Sequence, residues 1–104
     1  MQMNYTFRNL DATDSLKEHA IKKLHKLDKY LLKPLEAHVI FNVEKVDHKP
    51  HQHHVEITVI AGGVQHVSQE CSDDMYASLN KAVTKLEQQL RRQKERLKDH
   101  HKKG

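Results

Sequence analysis

Tryptophan is absent from this chain of 104 residues, cysteine occurs once, proline twice and glycine three times. The lone Cys71 excludes an internal disulfide and a CxxC metal or redox motif, which leaves a reducing cytoplasm as the expected setting. No Gly-rich phosphate loop and no nucleophile–base constellation can be picked out, so no active site is expected. No apolar run approaches the roughly 20 residues that cross a bilayer. The opening Met1-Gln2-Met3-Asn4-Tyr5 has neither a basic n-region nor an apolar h-region, so no secretory signal is expected there. Three Tyr and two Phe are too few for extensive base stacking.

What is there in quantity is charge, and it is segregated. Residues 14–33 carry six Lys against three acids, and residues 75–104 carry nine Lys/Arg against three. Residues 34–74 carry two Lys against seven acids, a division that the overall +4 conceals. Clustered Lys/Arg displaces condensed counterions from a phosphate backbone, whereas scattered charge of the same total confers only solubility. The pattern points to a polyanion, and first to nucleic acid.

The hydrophobic periodicity places these charges on elements. Met3, Tyr5 and Phe7 alternate with polar residues as in a strand with one buried face. Thr13 or Ser15 can cap a helix, Ser15-Leu16-Lys17-Glu18 fitting a capping box. Leu16, Ala20, Leu24, Leu27 and Leu31 form one stripe of a helix about five turns long, ended by Pro34. Residues 37–46 and the stretch around Val55, Ile57 and Val59 alternate again. Gly62-Gly63 predicts a tight hairpin turn, and Val64–Cys71 a more polar fourth strand at an edge, with Cys71 a packing residue. Ser72 or Asp73 caps a last helix whose apolar stripe is Tyr76, Leu79, Val83, Leu86, Leu90 and Leu97. The expected class is α+β, β-α-β-β-β-α, a four-stranded sheet with both helices packed on one face. Without its first strand the order is that of double-stranded-RNA-binding domains. One domain over residues 1–98 and a short basic disordered tail over 99–104 are expected.

Lys22, Lys26, Lys29 and Lys33, flanked by Lys23, share one face of the first helix at spacings of four, three and four. Lys81, Lys85, Arg92 and Arg96 share a face of the last, and Arg91 and Arg92 can add bidentate phosphate contacts. Side chains one helical turn apart can follow a phosphate backbone, which favours backbone tracking over base readout. Of ten His, His51, His53 and His54 cluster in one loop, the minimum of a metal site or of a His-dependent nuclease, although no Cys or HExxH spacing supports it. A solvated loop is the simpler account. Other readings are a general double-stranded-RNA-binding module and a coiled-coil dimer through the last helix. The second would use the stripe that has to cover the sheet.

Met1-Gln2-Met3-Asn4, Val43-Glu44-Lys45-Val46, Asp74-Met75-Tyr76-Ala77 and Lys85-Leu86-Glu87-Gln88-Gln89-Leu90 resemble the bacterial ribosome hibernation factors. That family includes ribosome-associated inhibitor A and the sigma-54 modulation protein, and the likeness covers about residues 1–98. The resemblance implies no cofactor, no catalysis and no membrane. It implies a monomer bound to the small ribosomal subunit, rRNA and ribosomal proteins alike, in the mRNA/tRNA channel, blocking translation in stationary phase or stress. The implied rRNA contacts fall on Lys22, Lys23, Lys26, Lys29, Lys81, Lys85, Arg91 and Arg92. Asn80 departs from the Asp of many relatives. The tail, Lys98-Asp99-His100-His101-Lys102-Lys103-Gly104, resembles the short form, which promotes ribosome dimers alongside a separate modulation factor. An inhibitor A-like factor, with its longer acidic extension, would silence single ribosomes instead.

Overall fold

The computed structural model describes residues 1–30, 36–45 and 47–103, with side chains described as far as Arg96. Expectations that fall on Leu31, Lys33, Pro34, Val46 and the Leu97 side chain lie outside the described residues. Four strands form, β1 (Gln2–Arg8), β2 (Glu36–Glu44), β3 (Gln52–Ala61) and β4 (Val64–Ser72), with helices α1 (Asp14–His25) and α2 (Met75–Lys103). The order is β-α-β-β-β-α, as the periodicity predicts. The strands lie β1-β2-β3-β4 across one sheet, β1 parallel to β2 and the other pairs antiparallel. A parallel pair needs a long crossover, which α1 supplies, whereas short loops join the antiparallel ones. Gly62 and Gly63 adopt φ of 58° and 77°, the positive values that a two-residue hairpin turn requires, and Ala61 pairs with Val64 across it.

Alternation along the strands puts Ala37, Val39, Phe41 and Val43 of β2 and Val55, Ile57, Val59 and Ala61 of β3 on one buried face. Leu16, Ala20, Leu24 and Leu27 cover that face from one side, and Met75, Leu79, Ala82, Val83, Leu86 and Leu90 from the other. Phe7 stacks on Phe41 with ring centroids 4.9 Å apart. Both helices therefore lie on the same side of the sheet. They also run parallel, since Ser15 meets Tyr76 and His19 meets Asn80 at a constant offset of 61 residues.

Several local expectations are corrected. α1 ends at His25, not five turns on. Its last amides bond three residues back, Lys26 to Lys23 at 3.3 Å and Leu27 to Leu24 at 2.9 Å, leading into a 3-10 turn over Asp28–Tyr30. The tighter turn still buries Leu27 fully, which is why the leucine spacing concealed the break. Thr13 is the cap, its Oγ1 accepting from the Leu16 amide at 3.2 Å. Ser15 instead hydrogen-bonds the Tyr76 hydroxyl at 2.6 Å. On α2 the cap is Asp74, whose carboxylate accepts from the Ala77 amide at 2.9 Å, three residues on, where an N-cap reaches. Met75, not Tyr76, starts the buried stripe, because at 100° per residue only Met75 lines up with Leu79 and Leu86. Cys71 is no core residue: it faces away from the helices and its thiol donates to Gln52 Oε1 at 2.8 Å. The backbone of α2 also continues through Lys103, beyond residue 98, since no Pro or Gly precedes Gly104 to stop it.

Candidate nucleic-acid interface

The helix layer turns its outer surface to solvent, and the cations stand on it. Lys22, Lys26, Lys29, Lys81, Lys85, Arg91, Arg92 and Arg96 are exposed, and Lys23 is half-buried. Lys22 and Lys26 share the flank of α1 that carries Ser15 and His19 and so faces α2. Lys29 leaves the expected stripe because the 3-10 turn rotates it; its Nζ lies 5.1 Å from the Tyr30 ring centroid. On α2, Lys81, Lys85, Arg92 and Arg96 fall within about 60° of one another at the helical pitch. That flank lies away from α1, over β4: Lys85 Nζ is 3.4 Å from Glu70 Oε1 of that strand. Arg91 stands on the other flank, beside α1. The two predicted stripes thus belong to one layer but not to one groove.

Between the helices the chain builds a junction that the spacing alone does not reveal. The Tyr30 hydroxyl donates to Glu87 Oε1 at 3.4 Å, and Arg91 donates to the same oxygen at 2.9 Å. The Tyr30 hydroxyl and then Glu87 raise the Arg91 pKa above its ordinary value, so the guanidinium stays charged throughout. Lys94 Nζ donates to the Lys29 carbonyl at 3.0 Å and lies 5.9 Å from the Tyr30 ring centroid. Lys94 is the cation that the stripe argument missed, because it lies off the 81/85/92/96 line. Its position seven residues after Glu87, on the flank facing α1, was the available signal. Tyr30 is half-buried between the helices, Phe7 and Phe41 pack in the core, and exposed Tyr76 is held by Ser15 and the edge of the His19 ring, so the surface offers many phosphate contacts and little for stacking bases.

The opposite side of the sheet has the other sign. Arg8 is the only Lys or Arg in the four strands, against Glu36, Glu44 and Glu56 on this face, while Glu70 points to the helix side. Facing away from the helices, a depression of about 510 Å³ is lined by Arg8, Asn42, Glu44, His54, Glu56 and Cys71, among others. The His51, His53 and His54 alternative does not assemble. His53 and His54 are successive strand residues and point to opposite faces of the sheet. His53 lies on the helix side with its Nδ1 unpartnered, whereas His54 Nε2 bonds Glu44 Oε2 at 3.0 Å on the open side. Among the described residues no three His, Cys, Asp or Glu side chains converge as a metal site, and no helix is long and apolar enough to cross a membrane.

A helix layer of this charge on a β-α-β-β-β-α frame can be compared with known proteins. Residues 3–98 match the family model described as sigma 54 modulation protein / S30EA ribosomal protein. The chain belongs to that family. It is 38% identical over 101 residues to the ribosome hibernation promoting factor of Salmonella typhimurium, covering 96% of this chain and 100% of that one. It is 33% identical over 94 residues to the ribosome hibernation promotion factor of Bacillus subtilis, of which it spans 49%. The crystal structure of the Thermus thermophilus protein Y N-terminal domain superposes with a TM-score of 0.77 at 30% identity, over 88% of this chain and 98% of that one. Fold class and family are therefore those that the sequence resemblance implies.

Proposed function

We propose that this member of the family is a ribosome hibernation factor. It binds the small ribosomal subunit through its helix layer, in the channel that messenger and transfer RNA occupy, and blocks translation without chemistry. The observation that carries this reading is the division of charge between the two faces of one small fold: nine exposed or half-exposed cations on the helices, and Glu36, Glu44 and Glu56 on the open sheet. Only the helix layer can approach rRNA phosphates without repulsion. Lys22, Lys23, Lys26, Lys29, Lys81, Lys85, Arg91, Arg92 and Arg96 hold the rRNA, with Lys94 added and Lys33 outside the described residues. The match to ribosome hibernation promoting factors over nearly their whole length supports the ribosome reading, in which the chain acts as a monomer in the cytoplasm. In the same reading it forms ribosome dimers together with a separate modulation factor.

Purified chain is expected to cosediment stoichiometrically with small subunits and to stop translation in a reconstituted system without consuming substrate. On sucrose gradients, adding it with a modulation factor is expected to move ribosomes into the dimer peak. Cosedimentation with large subunits or free RNA alone overturns the ribosome reading. Silencing without a dimer peak overturns only the dimer step, in favour of inhibitor A-like action.

A further inference from the structure

The sheet face that carries no helix holds a line of three carboxylates, with Arg8 the one strand cation beside them and not ion-paired to any of them. Glu36 and Glu44 stand at the two ends of β2, and Glu56 of β3 pairs with Ile40, midway between them. At about 3.3 Å per residue the three follow one another along the strands at intervals of about 13 Å. Glu56 accepts from Gln69 Nε2 at 2.9 Å and Glu44 is bonded to His54 Nε2 at 3.0 Å. Among the described residues no Lys or Arg forms an ion pair with any of the three, although the chain has cations in excess. On the helix side two of the carboxylates are paired, Glu70 with Lys85 and Glu87 with Arg91. Exposed Ile60 and Val67 add apolar surface to the same face, at 40% and 38% exposure.

We infer that the open sheet face docks an extended, basic protein segment with Lys or Arg at every fourth residue. An extended chain advances about 13 Å in four residues and returns side chains i and i+4 to the same side, which matches the carboxylate spacing. Nucleic acid is repelled by this face. A second copy of this chain fits poorly, because the cation line Lys81, Lys85, Arg92 and Arg96 advances in steps of about 6, 10 and 6 Å and not of 13 Å. The docking leaves the helix layer free and does not depend on the ribosome reading.

A labelled peptide with three arginines at every fourth position, in a Gly/Ser/Thr background, tests this by fluorescence anisotropy at low salt. An isomeric peptide with the arginines contiguous serves as the comparison. The spaced peptide is expected to bind the intact chain more tightly than its isomer, with amide shifts confined to β2 and β3. E36Q/E44Q/E56Q is expected to weaken that binding about ten-fold, at the usual strength of exposed ion pairs. D11N/E18Q/E95Q removes as many negative charges elsewhere and is expected to leave it unchanged. An unchanged melting temperature and unchanged RNA binding show that E36Q/E44Q/E56Q is folded. The proposal is overturned by no measurable binding, by equal losses in the two triple variants, or by no preference for the spaced peptide. Self-association of the intact chain that E36Q/E44Q/E56Q abolishes would overturn it in favour of a second copy.

Discussion

Replacing Lys22 and Lys26 together by Gln is expected to weaken RNA binding and to flatten its dependence on salt. Both are exposed on the flank of α1 that faces α2, and neither forms an ion pair among the described residues. Each phosphate neutralised contributes about 0.7–0.9 to the slope of log K against log salt, so losing two contacts lowers the slope by about 1.4–1.8. The matching pair on α2 differs. Lys85 is held 3.4 Å from Glu70, so part of its charge is already spent within the fold. K81Q/K85Q is therefore expected to lower the slope by less than K22Q/K26Q does. Glu70→Gln, which frees Lys85, is expected to tighten binding and to steepen the slope by at most about 0.9. Titrations of fluorescent small-subunit rRNA fragments across a salt series measure all three. None of these side chains is buried, so melting temperatures are expected to stay close to that of the parent. An unchanged slope in K22Q/K26Q would refute the helix layer as a phosphate surface. Weaker binding in E70Q would refute the assignment of Lys85 to it.

Stability should respond to a different set of residues. Leu24→Ala and Leu86→Ala remove fully buried side chains under the sheet and are each expected to cost about 2–5 kcal/mol in denaturant titration, with the salt slope per folded molecule unchanged. Asp74→Ala removes the carboxylate that caps α2 and is expected to cost about 1 kcal/mol, with helix loss visible by circular dichroism on heating. Burial holds the Tyr5 phenol above its ordinary pKa of 10.0. The folded chain then keeps a proton that the unfolded chain loses, so stability present below pH 10 falls as pH rises past that value, and Tyr5→Phe should flatten the alkaline limb of a pH–melting profile.

Much of the fold is legible in the sequence because the sheet is antiparallel over most of its width and covered on one face only. Val39, Phe41 and Val43 alternate with His38, Ile40 and Asn42 for that reason, and the period carries through β3. The helix stripes are equally plain. Open choices and errors gather at element ends, where one residue decides: Thr13, offered beside Ser15, is the cap of α1, whereas Asp74 takes the place expected of Ser72 or Asp73 and Met75 that of Tyr76. The alternative of a His51, His53 and His54 site, set below a solvated loop, fails for a related reason, and the loop itself is shorter than expected. Clustering in sequence suggested convergence, but His53 and His54 entered β3, whose pleat sends neighbours to opposite faces.

What the sequence by itself determined is the element order, the side of each element that is buried, and the gathering of cations on the helices, the strands holding four Glu against Arg8 alone. These are local properties, carried by periodicity and charge over a few turns. Only the tertiary structure decided which cations share a surface. α1 stops at His25 and the 3-10 turn over Asp28–Tyr30 brings Lys29 onto Tyr30 while Leu27 stays buried. Lys85 is drawn to Glu70, while Tyr30, Glu87, Arg91 and Lys94 meet across more than 50 residues of chain. The line Glu36, Glu56, Glu44 likewise exists only through the register that sets Glu56 opposite Ile40. A strand's own pattern says which face a side chain takes, but which side chain of the next strand stands beside it follows from the loop between them and from the shared core.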